Sequence, residues 1–97
     1  MPKGYWISVY KEIIDADKLA AYAAIAGPAL EANGGRYLVR GGRVEAKEAG
    51  LEERTVVVEF ESFEVALAAY KTDAYQAALK KLDGGVVRDL RIVEGVI

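Results

Sequence analysis

A chain of 97 residues, 53% hydrophobic and 29% charged, has the length and apolar content of one folded domain spanning residues 1–97. Thirteen basic against fifteen acidic side chains leave a net charge of −2, which argues against a broad nucleic-acid surface. Cysteine and histidine are both absent, which excludes disulfides, thiolate metal sites, thiol nucleophiles and every Ser–His–Asp or Cys–His device.

Proton transfer in such a chain falls to Asp, Glu, Lys, Tyr, an N-terminal amine or the substrate itself. No metal or cofactor is implied. No apolar run approaches the roughly 20 residues of a bilayer helix, and no signal peptide precedes the first strand-like segment. A cytoplasmic protein without membrane or nucleic-acid partners is expected.

Tyr5 to Lys11 reads as a strand, rich in aromatic and β-branched residues. Asp15 to Asn33 reads as a helix, with Asp15 or Asp17 as its cap and Asn33-Gly34-Gly35 as its stop. Leu19, Tyr22, Ala26 and Ala29–Leu30 recur at helical spacing as its buried stripe, and Pro28 predicts a kink. Arg36 to Arg40 is a second strand, interrupted by a bulge at Gly41-Gly42 and resumed over Val44 to Lys47. Ala49-Gly50 marks a turn, and Arg54 to Phe60 is a third strand centred on three valines. Ser62 caps a helix with the apolar stripe Phe63, Leu67 and Tyr70. Thr72-Asp73 breaks it and starts a further helical stretch, Ala74 to Leu82, ended by Asp83-Gly84-Gly85. Leu90 to Val96 is the last strand.

The order β-α-β-β-α-β predicts an α+β, ferredoxin-like fold, with helices over one face of a four-stranded antiparallel sheet. Alternation along the strands predicts that Ile7, Val9, Tyr37, Val39, Val56, Val58, Phe60 and Val93 pack against the helices. The other face would then carry Trp6, Ser8, Tyr10, Leu38, Val57 and Ile92, a patch large enough to demand a partner. Stacking of two such faces predicts a homodimer that closes an α+β barrel.

Arg40, Glu59 and Glu94 fall on that same face by this parity. Charges among apolar neighbours are paired or partly solvated, so two readings stand. One is a structural ion-pair network; the other is a pocket in which Arg40 holds an anionic group and Glu59 or Glu94 acts as base. Tyr10 and Tyr75 are candidates to position a small organic ligand there.

Other features carry less. Met1-Pro2 would expose a proline amine after methionine removal, against the simpler reading of an ordinary start. Asp15-Ala16-Asp17 lacks the glycine and closing glutamate of a calcium loop and reads as a helix cap. The paired glycines form no phosphate-binding motif, and Tyr22, Tyr70 and Tyr75 sit at core spacing.

The run Gly34-Gly35-Arg36-Tyr37-Leu38-Val39-Arg40-Gly41-Gly42 resembles a stretch of the DUF1330 family. So do Gly4-Tyr5-Trp6-Ile7, Val58-Glu59-Phe60-Glu61-Ser62-Phe63, Ala74-Tyr75-Gln76 and Ile92-Val93-Glu94-Gly95, in order along nearly the whole chain. The resemblance implies a dimeric α+β barrel, and it maps recurrent polar positions onto Arg40, Glu59, Tyr75, Gln76 and Glu94. Family members often carry an arginine near the end of the second helical region, where this chain has Leu82. The resemblance implies no reaction. Two functional classes follow: a small-molecule-binding, cofactor-independent enzyme using acid–base chemistry of a monooxygenase or isomerase kind, or a non-enzymatic ligand sensor or interaction module.

Overall fold

The computed structural model describes residues Met1–Ile97. Local signals set most element ends. The Asp15 side chain accepts from the amides of Asp17 and Lys18 and starts α1 (Ala16–Ala32), which runs unbroken through Pro28. Ser62 accepts from the Val65 amide at the start of α2 (Phe63–Tyr70), and Thr72 from the Tyr75 amide at the start of α3 (Asp73–Leu82). Gly34, with φ of +82°, provides the left-handed turn after α1 that a side chain would resist.

Four strands, β1 (Gly4–Ile13), β2 (Arg36–Arg40), β3 (Thr55–Phe60) and β4 (Val86–Glu94), form one antiparallel sheet in the order β2-β3-β1-β4. This is the expected ferredoxin-like α+β fold. Two expectations fail at strand ends. Val44 to Lys47 is not a strand, and β4 begins at Val86 rather than Leu90.

The face assignment is also corrected. Gly4, Trp6, Ser8 and Tyr10 are buried and alternate with half-buried Tyr5, Ile7 and Val9, so β1 turns its aromatic residues toward the helices. The register carries this across the sheet, because directly opposed residues share a face. Trp6 lies opposite Val58 and Ile92, and Ser8 opposite Val56 and Leu90. Ile92 therefore faces inward, while Val93 is 40% exposed on the open face. A single strand shifted by one residue inverts every side chain on it, and the aliphatic residues of β1 alternate with aromatic ones that are equally apolar.

The core centres on Trp6. Its indole N–H donates to the Ala66 carbonyl at 2.8 Å, and its ring packs on Phe60, Tyr70 and Tyr75. Such close approach needs small residues on α2. Ala66 and Ala69 are buried there, whereas Leu67, expected in the stripe, is exposed. No helix is long and apolar enough to cross a membrane.

Candidate functional site

Helix α2 lies against the sheet, but α1 packs mainly on α3 and makes few close backbone approaches to the strands. A cavity of about 40 Å³ remains between α1 and the sheet. An apolar cavity of about 150 Å³ holds a benzene, so this one receives a group of only a few heavy atoms. Trp6, Ser8, Val56, Val58 and Leu90 form its floor, and Tyr22, Ala23 and Ala26 of α1 its roof.

Three arginines reach this cavity: Arg40 from β2, Arg54 from the loop before β3, and Arg88 from β4. Arg40 lies opposite Val56, and Arg88 opposite Tyr10, whose amide donates to the Arg54 carbonyl. Thus adjacent rows of the sheet bring all three to one end of its inner face. Neither Asp nor Glu lines the cavity, and none of the three guanidiniums belongs to an ion pair.

Each guanidinium is seated differently. Arg40 stacks on Tyr37, its central carbon 4.1 Å from the ring centroid. Gly27 makes room for it, since a Cβ there would come within 2.9 Å of Nη2. Gly41, with φ of +68°, performs the same service for Arg54, whose Nη1 occupies the space a side chain at Gly41 would need. Arg54 Nε is buried without a hydrogen-bond partner, and so is Ser8 Oγ.

Arg88 is held by phenols. Its Nη2 donates to Tyr75 Oη at 2.9 Å and its Nη1 to Tyr22 Oη at 3.2 Å, while the two hydroxyls lie 2.8 Å apart. Burial works against the Arg88 charge, but the oxygens of Tyr22 and Tyr75 outweigh it and raise its pKa above the ordinary value. Burial, reinforced by Tyr22 and opposed by Arg88, holds the Tyr75 hydroxyl protonated well beyond the ordinary tyrosine range. Tyr37 is raised chiefly by burial, against a lowering influence from Arg40.

The residues singled out by sequence separate. Arg40 and Tyr10 line the cavity. Tyr75 stands behind it, bonded to Tyr22 and Arg88. Gln76 lies apart, its amide donating to the Tyr70 carbonyl across the α2–α3 break. Glu59 is on the open face, accepting from Tyr5 Oη at 3.0 Å and Arg36 Nη2 at 3.1 Å. Glu94 is exposed at the sheet end opposite Gly4. Contrary to the expectation from parity, Arg40, Glu59 and Glu94 do not all share a face, because Glu59 lies on the open one, and no ion-pair network joins them. Leu82 is buried in the core, and Pro2 lies outside the cavity.

Arg54 and Arg88 are not among the residues the sequence singles out, and Ser8 and Tyr22 stand there only as face and core residues. A signal for Arg88 existed: counting back by twos from Ile92 through Leu90 reaches it, had the strand been extended to Val86.

A family model described as "Domain of unknown function (DUF1330)" matches residues 3–96. No curated protein matches the sequence. Among solved structures, the chain is similar to RPA0582, a protein of unknown function from Rhodopseudomonas palustris. The TM-score is 0.78 at 17% identity, covering 99% of this chain and 84% of that one. It is similar to a provisionally assigned antibiotic biosynthesis monooxygenase from Caulobacter crescentus CB15 (TM-score 0.63, 15% identity, 99% and 92% covered). A third is a dimeric ferredoxin-like protein of unknown function from Thermobifida fusca (TM-score 0.55, 13% identity, 96% and 91% covered). At these identities the likeness is one of fold.

Proposed function

This chain belongs to the DUF1330 family, and we propose that it is a cytoplasmic homodimer that binds a small organic anion between its sheet and α1. One observation carries the reading: Arg40, Arg54 and Arg88 meet in a cavity that contains no carboxylate. Like charges in a partly apolar cleft repel one another, and a bound anion relieves that repulsion while using donors that lack partners. Guanidinium forks suit oxyanions in particular.

The dimer rests on the open face of the sheet. Ile7, Val9, Val39, Val57, Val87 and Val93 all lie there, with Val39, Val87 and Val93 at least 40% exposed. An apolar sheet face of this kind is covered in a soluble protein. Apart from Val57 the residues differ from those expected from parity, but the need for a partner is the same, and the Thermobifida fusca protein of like fold is described as dimeric.

If the protein acts on its ligand, the chemistry is acid–base chemistry on the ligand's own oxyanion. Arginines and tyrosines hold the oxygen of an enolate in place as the ligand releases a proton to water; no carboxylate base lines the cavity. Likeness to a provisionally assigned monooxygenase favours this over a sensor or an interaction module.

The test is the melting temperature of the protein against a panel of small anions at fixed ionic strength. A bound anion at about 100 times its Kd stabilises by about 2.7 kcal/mol. Arg40→Met at the cavity rim and Arg88→Met inside it should each abolish the rise, and Glu59→Gln should leave it intact. An anion response unchanged in both arginine variants would sink the reading.

A further inference from the structure

Resting on the anion-binding reading, we propose that the ligand's anionic group is a carboxylate, accepted between a donor on the floor of the cavity, Ser8 Oγ, and one on its roof, Tyr22 Oη. Tyr75 is the residue that aims the second of these.

The direction of the Tyr22–Tyr75 hydrogen bond follows from counting protons. Tyr75 is fully buried and does not line the cavity; its oxygen already accepts from Arg88, and its only neighbouring acceptor is Tyr22 Oη at 2.8 Å. Were Tyr22 the donor, the Tyr75 proton would be left buried and unsatisfied. With Tyr75 donating, Tyr22 accepts from both Tyr75 and Arg88, and its own proton is free to point into the cavity that its ring lines.

Ser8 supplies the opposite wall. It is 4% exposed on the inner face of β1, between Trp6 and Tyr10 in sequence and between Val56 and Leu90 across the sheet. Its hydroxyl has no partner, in surroundings where alanine would leave nothing unsatisfied. Arg54, whose Nε is the second orphan, lines the same space. Ser8 and Arg54 thus each carry a donor without a partner, and Tyr22 a freed one, on residues that line the space between sheet and helix.

Size and lining narrow the class. At about 40 Å³ the cavity takes a group of a few atoms, and much of its lining, Ala23, Ala26 and Val58 included, is apolar. A carboxylate is planar, accepts on two oxygens from opposite sides and carries a carbon substituent for those walls. Inorganic phosphate is tetrahedral, bulkier and has no apolar part. An amide presents hydrogens of its own to the guanidiniums.

The chain's single tryptophan, Trp6, lies on the cavity floor and reports occupancy by its fluorescence. The wild-type protein, Ser8→Ala and Tyr75→Phe are titrated with acetate, acetamide and inorganic phosphate at fixed ionic strength. Acetate should bind at least tenfold more tightly than either of the others. Ser8→Ala should weaken acetate about tenfold, the worth of a hydrogen bond to a charged group, while its melting temperature stays the same or rises. Tyr75→Phe should narrow the acetate-to-acetamide ratio, whereas a purely structural role would weaken both ligands alike. Phosphate binding more tightly than acetate, or wild-type acetate affinity in Ser8→Ala, overturns the carboxylate assignment and leaves anion binding standing. No binding of any anion by the wild type overturns both.

Discussion

Arg40 and Tyr37 lie on the same face of β2, stacked 4.1 Å apart, although they are three residues apart in a strand. Regular alternation would place them on opposite faces. The pairing of β2 with β3 slips between Tyr37 and Val39: Tyr37 lies opposite Val58, Val39 opposite Val57 and Arg40 opposite Val56. Leu38 is the extra residue, 47% exposed, and the bulge turns Arg40 into the cavity.

The seat of that arginine can be filled. In Gly27→Ala the new methyl would displace the end of a flexible side chain rather than backbone. The helix gains up to about 1 kcal/mol from replacing glycine in its interior. Calorimetry should therefore show an equal or higher melting temperature, with anion affinity reduced several-fold.

Alkaline stability should track Tyr75. Its pKa is raised in the folded protein above the ordinary value of about 10, so its contribution is intact below that pH. As pH rises further, the unfolded chain loses this proton first, and stability falls by up to about 1.4 kcal/mol per pH unit from this one group. Urea unfolding at pH 10 and pH 11 should show a smaller loss in Tyr75→Phe than in the wild type. Equal losses would assign the alkaline transition to other groups.

A charge on the open face should separate the subunits without unfolding them. Val57 is half-buried beside Ile7 and Val39, on the side away from the cavity. Val57→Lys should sediment as a monomer, with its circular dichroism and its anion response retained. A wild-type protein that is already monomeric would remove the dimer from the proposed function.

The packing of Trp6 on α2 leaves no room for larger side chains. Ala69 is fully buried in the same cluster, and Ala69→Leu should destabilise by about 1–3 kcal/mol through overpacking, measured by denaturant midpoint. A cost below about 0.5 kcal/mol would mean that α2 shifts to accommodate it.

The sequence by itself determined the element order, the caps at Asp15, Ser62 and Thr72, the α+β ferredoxin-like topology and the family. These depend on neighbours within a few residues, on periodicity or on a run of matching motifs. Arg40 and Tyr10 were also found there. Which face each strand presents was decided only in the tertiary structure, because Trp6, Ser8 and Tyr10 alternate with Tyr5, Ile7 and Val9, and both sets are apolar enough for a core. A bulge at Leu38 then reversed Arg40 relative to its own strand. The cavity itself arises from where α1 comes to rest, close against α3 with its backbone held off the sheet, and it joins Arg40, Arg54 and Arg88 from three separate segments. Long-range packing sets that separation, and no local pattern encodes it.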